Sequence, residues 1–277
     1  MKKSTKAKSE TKTFEPGEHI RVVPLYHPKP VVAIGKREPE GSDLFDGKPH
    51  PAPASAKLTY RGGALLTNVA VFVIFWGKLW GKSKNSLKIM NSLKQFFAAI
   101  VVSPAIDQLA EYRVAGKTIG HGSLIGAKTI STNAPVGSVT DSTIRKQLKK
   151  WIKAKTVPKP SKNTLYFIYL DPKVISIMGG SRSCQSYCGY HDNIGTVYYA
   201  VMPYPTCSGC LGGRKAFDAL TGTSTHELCE AITDAAPGEG WYDDNNGEIG
   251  DICAWNFKQV AGYNVQLEWS NQANKCI

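Results

Sequence analysis

The residues best suited by type and spacing to do chemistry lie in Thr223-Ser-Thr-His226-Glu227-Leu-Cys229-Glu230-Ala-Ile-Thr-Asp234, with Glu248-Ile-Gly-Asp251 shortly after. On a helix, His226 and Glu230 stand one turn apart and project from the same face. That spacing lets a helix offer two ligands to one metal ion. Glu227 sits between them, where a carboxylate can take a proton from a water activated by the ion. The pattern is the H-E-x-x-H signature of zinc peptidases with its second His replaced by Glu. One imidazole and two carboxylates make a catalytic zinc set with a coordination position left open. The chemistry this predicts is metal-dependent hydrolysis.

Standing alone, H-E-x-x-E is a weak signal, because His and Glu readily decorate a solvated helix face. Three features strengthen it. Leu228, Ala231 and Ile232 give the helix an apolar side, so it packs rather than standing in solvent. The preceding Gly195-Thr-Val-Tyr-Tyr-Ala-Val-Met-Pro203 reads as a β-branched and aromatic strand. The third feature is charge. The chain has a formal net charge of +12, yet Ala216 to Phe257 holds no Lys or Arg and nine carboxylates: Asp218, Glu227, Glu230, Asp234, Glu239, Asp243, Asp244, Glu248 and Asp251. Carboxylates so crowded repel one another, and a divalent cation relieves the repulsion. Basic partners brought in from distant segments are the competing explanation.

The elements that must position these residues follow an α/β pattern. Val69 to Trp76 is the longest apolar run of the 277-residue chain, too short to span a bilayer, and reads as a buried strand. A helix follows with Leu87, Met90, Leu93, Phe97 and Ile100 on one side, and Ser103-Pro104 opens a short helix with Ile106 and Leu109 facing inward. Asp141 to Lys155 puts Ile144, Leu148, Trp151 and Ile152 at helical spacing. Opposite them lies a basic face of Arg145, Lys146, Lys149, Lys150, Lys153 and Lys155, continued by Lys159 and Lys162. A solvated face is the better reading of that charge. Trp151 falls on the apolar side, so there is no base-stacking platform, and nucleic-acid binding, which rests on net charge alone, ranks last.

Thr164 to Leu170 is a second buried strand, and Tyr263 to Trp269 alternates as a half-exposed one. The expected fold is a single zincin-like α/β domain over residues 57–277, with a mixed sheet, flanking helices and a disulfide-rich C-terminal half. Residues 1–56 are rich in Lys, Pro, Glu and Gly and lack a sustained period. They predict a disordered basic tail and an extended arm that wraps the domain or serves as a pro-segment.

Of the seven cysteines, Cys184, Cys188, Cys207, Cys210, Cys253 and Cys276 lie outside the clear helical patterns, while Cys229 falls in the metal helix. The first four could clamp a structural zinc, but Cys184-x3-Cys188 is looser than the usual spacing. Three disulfides fit better, with Cys229 as a small buried apolar residue. Disulfides imply an extracellular or cell-envelope location. The basic start Met1-Lys-Lys has no apolar stretch behind it, so no signal peptide is visible and the cytoplasm stays open.

The chain resembles the Exordium family, also called phosphate-induced proteins, which are secreted plant proteins with bacterial relatives. Leu58-Thr-Tyr-Arg-Gly-Gly-Ala-Leu-Leu-Thr is similar to that family's opening L-T-Y-H-G-G-x-x-L-T. The likeness continues through the Val69 strand, Ile119-Gly-His-Gly-Ser-Leu and the Tyr166 strand. Cys184-Gln-Ser-Tyr-Cys188-Gly-Tyr-His191 resembles its C-x3-C-G-F-H, Cys207-Ser-Gly-Cys210 its C-P-G-Q-C, and His226-Glu-Leu-Cys-Glu230 its H-E-L-A-E. Gly240-Trp-Tyr242, Glu248-Ile-Gly-Asp251-Ile-Cys253 and Cys276 complete the match. The order of these motifs is more specific than any one of them. The second cysteine pair is one residue closer here, and Cys229 stands where the family usually has Ala. The resemblance supports fold and site more than activity, since the plant members are associated with cell-wall growth and growth signalling without an assigned reaction.

The leading expectation is a zinc-dependent hydrolase acting on a peptide or amide bond. His226 and Glu230 are the helix ligands, and Glu248 is the third, returned to the site by the turn through Gly238, Gly240 and Asn245-Asn-Gly. Glu227 is the general base. Asp251 stands behind the ligands and orients the imidazole of His226 through its other ring nitrogen. A Glu in place of a neutral His makes the metal a weaker Lewis acid and tolerates harder ions such as Mn or Ca. His191 is a candidate transition-state donor or alternative ligand, or a histidine that satisfies a disulfide-rich loop. His121, between two glycines, is a loop residue, and Trp241 and Tyr242 pack in the core or line a cleft. The competing expectation is a non-catalytic secreted protein with a structural metal and a basic face for a cell-wall or other anionic partner. Substrate and oligomeric state are beyond the sequence.

Overall fold

The strands that carry the domain are the runs too apolar to face water on either side. The structure, a computed structural model, describes residues 22–26 and 55–277. A central sheet is built from β1 (Val22–Pro24), β2 (Ala70–Trp76), β3 (Ser123–Ile130), β4 (Thr164–Leu170), β5 (Tyr187–Ile194) and β6 (Val197–Met202), in the order β1-β5-β6-β4-β2-β3. The β2, β3, β4 and β6 strands run parallel, with Ala70 opposite Thr164 and Trp76 opposite Leu170. The β5 strand turns back antiparallel on β6, setting His191 opposite Ala200.

Alternation along β2 and β4 supplies two cores. Val71, Val73, Phe75, Leu165, Phe167 and Tyr169 face one way. Phe72, Ile74, Trp76, Tyr166, Ile168 and Leu170 face the other. Helices cover both faces, as a largely parallel sheet requires. On the first side lie α1 (Lys84–Ile100), begun by a Ser83–Ser86 capping box, and α3 (Ala216–Thr233). On the second lies α2 (Asp141–Lys153), which buries Ile144, Leu148 and Trp151. The fold is therefore mixed α/β. No single helix among the described residues is long and apolar enough to cross a membrane.

The α3 helix runs through the interior. From Ala219 to Thr233 every residue is buried. Its hydroxyls are absorbed locally: Thr225 Oγ1 donates to the Thr221 carbonyl, Thr233 Oγ1 to that of Cys229, and Ser224 pairs with Tyr169. A hairpin of β7 (Phe257–Val260) and β8 (Tyr263–Gln266) packs on its far side. Three disulfides tie the C-terminal half: Cys184–Cys207, Cys188–Cys210 and Cys253–Cys276. Each closes a loop of 22 or 23 residues. Loops of that size are worth about 3 kcal/mol apiece by chain entropy. The zinc-ribbon alternative for four of these cysteines falls away, and Cys229 is the free, buried thiol.

Two details depart from the sequence reading. Leu87 is 46% exposed, because the inward stripe of α1 runs through Ile89, Met90, Leu93, Phe96, Phe97 and Ile100. The Tyr263–Trp269 strand is broken after Gln266: Leu267 N–H turns to the Asn256 carbonyl, and Glu268 pairs its backbone with Ile277. Of the expected tail over residues 1–56, most lies outside the described residues. Val22–Pro24 is the edge strand β1, with Val22 and Val23 buried, and Tyr26 N–H donates to the Gly209 carbonyl.

Candidate metal centre

The α3 helix presents His226, Glu227 and Glu230, and none of the three is exposed to solvent. Facing it on β5 is His191, turned toward α3 by the same alternation that sends its neighbour Tyr190 into the opposite core. The loop after α3 brings the remaining carboxylates. Asp234 anchors its start, accepting from the backbone N–H of Gly238, Glu239 and Gly240. Asp243 shapes its middle by accepting from the N–H of Asn245, Asn246 and Lys57. Glu248 and Asp251 then enter the site, linked by a hydrogen bond from Glu248 N–H to Asp251 Oδ2.

The potential ligand atoms fall into two overlapping triads, each with its atoms within 4.8 Å of one another: His226, Glu230 and Asp251, and His191, Glu230 and Glu248. His226 Nε2 lies 2.8 Å from Glu230 Oε1 and 3.7 Å from Asp251 Oδ1. Glu230 Oε2 lies 3.5 Å from His191 Nδ1, and Glu248 Oε1 lies 3.5 Å from His191 Nε2. Glu227 Oε2 stands 3.0 Å from His191 Nδ1. The sequence expectation joined His226 and Glu230 to Glu248. In space Asp251 completes the group around His226, and Glu248 belongs to the group around His191.

Asp251 is also not the residue that orients His226. Gln266 on β8 fills that role: its Oε1 accepts from Trp255 N–H and from His226 Nδ1, at 3.1 Å, while its Nε2 donates to the Gly250 carbonyl. With Nδ1 donating, the Nε2 lone pair of His226 points at two carboxylates, an arrangement that calls for a cation between them. The same logic holds for His191, whose Nε2 faces the backbone carbonyl of Asp234 at 3.1 Å and so carries a proton. Its Nδ1 lone pair then faces Glu227 Oε2 at 3.0 Å and Glu230 Oε2 at 3.5 Å.

The donor set fits a divalent metal. His226 Nε2, Glu227 Oε1, Glu230 Oε2, Asp251 Oδ1 and both Glu248 carboxylate oxygens are fully buried without a hydrogen-bond partner. Buried polar atoms are rarely left so, and orphaned carboxylates that converge with an imidazole are what a metal site demands. Ligand atoms about 2 Å from one ion stand roughly 3 Å apart, close to the His226–Glu230 separation. Burial pushes Glu248 and Asp251 well up, with help from the neighbouring carboxylates. Glu227 is raised too, chiefly by burial, against the pull of His191.

Gly250 completes the wall. A Cβ there would stand 2.9 Å from Glu230 Oε1 and from the His226 ring, so the backbone lies directly against the helix pair. Gly250 and Gln266 are the functional residues the sequence reading missed. A glycine in a turn and a glutamine in a half-exposed strand carry no mark of their own. His121 pairs with Asp107 at 2.8 Å on the exposed surface and takes no part in the site. Trp241 donates to the Tyr112 carbonyl, and Tyr242 is buried beneath the Arg61 guanidinium.

No protein-family model matches the chain, and no curated protein matches it in sequence. Among solved structures it is similar to metalloproteinase-II from Bacteroides fragilis, with 14% identity and a TM-score of 0.34 over 75% of this chain. The chain spans about half (51%) of that protein's length. The candidate metal groups themselves are compatible with a metal-dependent hydrolase.

Proposed function

We propose that the chain is a metal-dependent hydrolase of peptide or amide bonds, with zinc as its ion. The observation that carries the reading is the convergence of fully buried, unpartnered ligand atoms of His226, Glu230 and Asp251 beside a carboxylate, Glu227, that belongs to neither triad. Bound among the first three, the ion would supply a Lewis acid that polarises a carbonyl and acidifies water. Glu227 is placed to take a proton from an attacking water and to return it to a leaving amine. His191 stands beside Glu227 through Nδ1, and the Asp234 carbonyl holds its ring by accepting from Nε2–H. Gln266 fixes the tautomer that turns Nε2 of His226 toward the ion. The three disulfides are compatible with an oxidising, extracellular location. The ordered motifs from Leu58 to Cys276 support placing the chain with the Exordium family.

Glu227→Gln tests the reading. It should keep fold and metal while lowering turnover of a peptide library by about 10² to 10⁴, the usual worth of a general base. Activity that survives the change would move the chemistry elsewhere. A second reading, a non-catalytic protein with a structural metal, is favoured by one observation: His191, His226, Glu227, Glu230 and Glu248 are all fully buried. Metal-loaded protein that cleaves no peptide, ester or glycan, with or without residues 1–56, would decide for it.

A further inference from the structure

Glu230 is shared between the two triads, and it faces them with different oxygens. Oε1 is the atom 2.8 Å from His226, and Oε2 is the one 3.5 Å from His191. Each triad also has its own imidazole and its own second carboxylate, Asp251 on one side and Glu248 on the other. Unpartnered, fully buried atoms occur in both: His226 Nε2 and Asp251 Oδ1 in the first, both oxygens of Glu248 in the second. A single ion among His226, Glu230 and Asp251 would leave the Glu248 carboxylate buried without a hydrogen-bond donor.

Charge points the same way. Glu227, Glu230, Glu248 and Asp251 bring four buried carboxylates together, and the ion pairs they make among the described residues are with His191 and His226 alone. Two divalent ions would offset more of that negative charge than one, in a medium where uncompensated charge is costly.

We infer that the centre is binuclear: a second divalent cation sits among His191, Glu230 and Glu248, and the Glu230 carboxylate bridges it to the first. The inference rests on the proposed metal-hydrolase reading and adds to it a partner ion of the kind that clamps attacking and leaving groups in two-metal sites, about 3.5–4 Å from the first. The ligand set, oxygen-rich with one imidazole per ion, suits Mn²⁺ as well as Zn²⁺.

The test uses full-length protein stripped by chelator and reloaded with Zn²⁺ or Mn²⁺. Elemental analysis should find about two ions per chain, and titration of the stripped wild type with Mn²⁺ should show two binding events. Bridged Mn²⁺ ions should give a spin-coupled electron paramagnetic resonance signal. His191→Ala or Glu248→Gln should reduce the content to about one ion and restore the uncoupled Mn²⁺ signal, and Asp251→Asn should do the same from the other side. Glu230→Gln should lose both ions.

One ion in wild type, one binding event and no effect of His191→Ala would overturn the binuclear centre and leave the mononuclear hydrolase standing. Two uncoupled ions would overturn the Glu230 bridge. No retained ion with either metal would overturn both readings. The wild-type titration needs no variant, so a substitution that fails to fold cannot rescue the inference.

Discussion

At the scale of single residues, the candidate ligands are held by groups that touch them from behind. Gln266 holds Nδ1 of His226 and ties it to the Gly250 carbonyl and Trp255 N–H. Gln266→Leu should keep the strand but free the imidazole, and metal affinity should fall by about 10- to 100-fold, as losses behind the ligands usually do. Competition with a chromophoric chelator measures it, and unchanged affinity would remove Gln266 from the site. Gly250→Ala acts by volume. Its methyl would stand 2.9 Å from both Glu230 and His226, so the turn must shift, at a cost of about 1–3 kcal/mol, and metal retention should drop with it. A denaturation midpoint indistinguishable from wild type would show that the turn yields freely.

At the scale of elements, the loop between α3 and the Cys253–Cys276 disulfide carries two of the five candidate ligands, Glu248 and Asp251, and Asp243 is its brace. Burial works to raise the Asp243 carboxyl, but hydrogen bonds from Lys57, Asn245 and Asn246 outweigh it and hold the group below its ordinary value. A carboxyl depressed on folding contributes stability that is present above its unfolded value, about 3.9, and is lost as pH falls through the folded value. Asp243→Ala should therefore lower Tm at pH 5–7, and the gap to wild type should close in strong acid. A gap independent of pH would mean that packing, not charge, is what was removed.

The β1 strand is the other element with a clear consequence. It covers the outer edge of the strand that carries His191, and Val22 and Val23 are 6% and 2% exposed. Burying a valine is worth about 1.5–3 kcal/mol, so deleting residues 1–26 should lower stability by a few kcal/mol in urea unfolding. Equal midpoints would make β1 dispensable.

At the scale of the whole molecule, three disulfides act on the folding equilibrium, and an ion held by the candidate site would act on it too. An ion present at a hundredfold excess over its Kd would add about 2.7 kcal/mol, so chelator should lower Tm by several degrees and metal should restore it. The six paired cysteines should resist alkylation without reductant, and Cys229 should react only on unfolding, because it is fully buried on α3. Six reactive thiols in native protein would refute the pairing.

The α/β class, the two central strands, the one-turn pairing of His226 with Glu230 and the cysteine chemistry could all be read from the sequence. Each follows from short-range periodicity, residue type or spacing. Which loop carboxylate meets His226, that His191 faces α3, that Gln266 rather than Asp251 holds the imidazole, and that residues 22–24 finish the sheet were decided only in the tertiary structure. They depend on how a loop of Gly, Asp and Asn returns across the helix and on which way a strand's alternation faces. Such contacts join residues dozens of positions apart, and no local pattern encodes them.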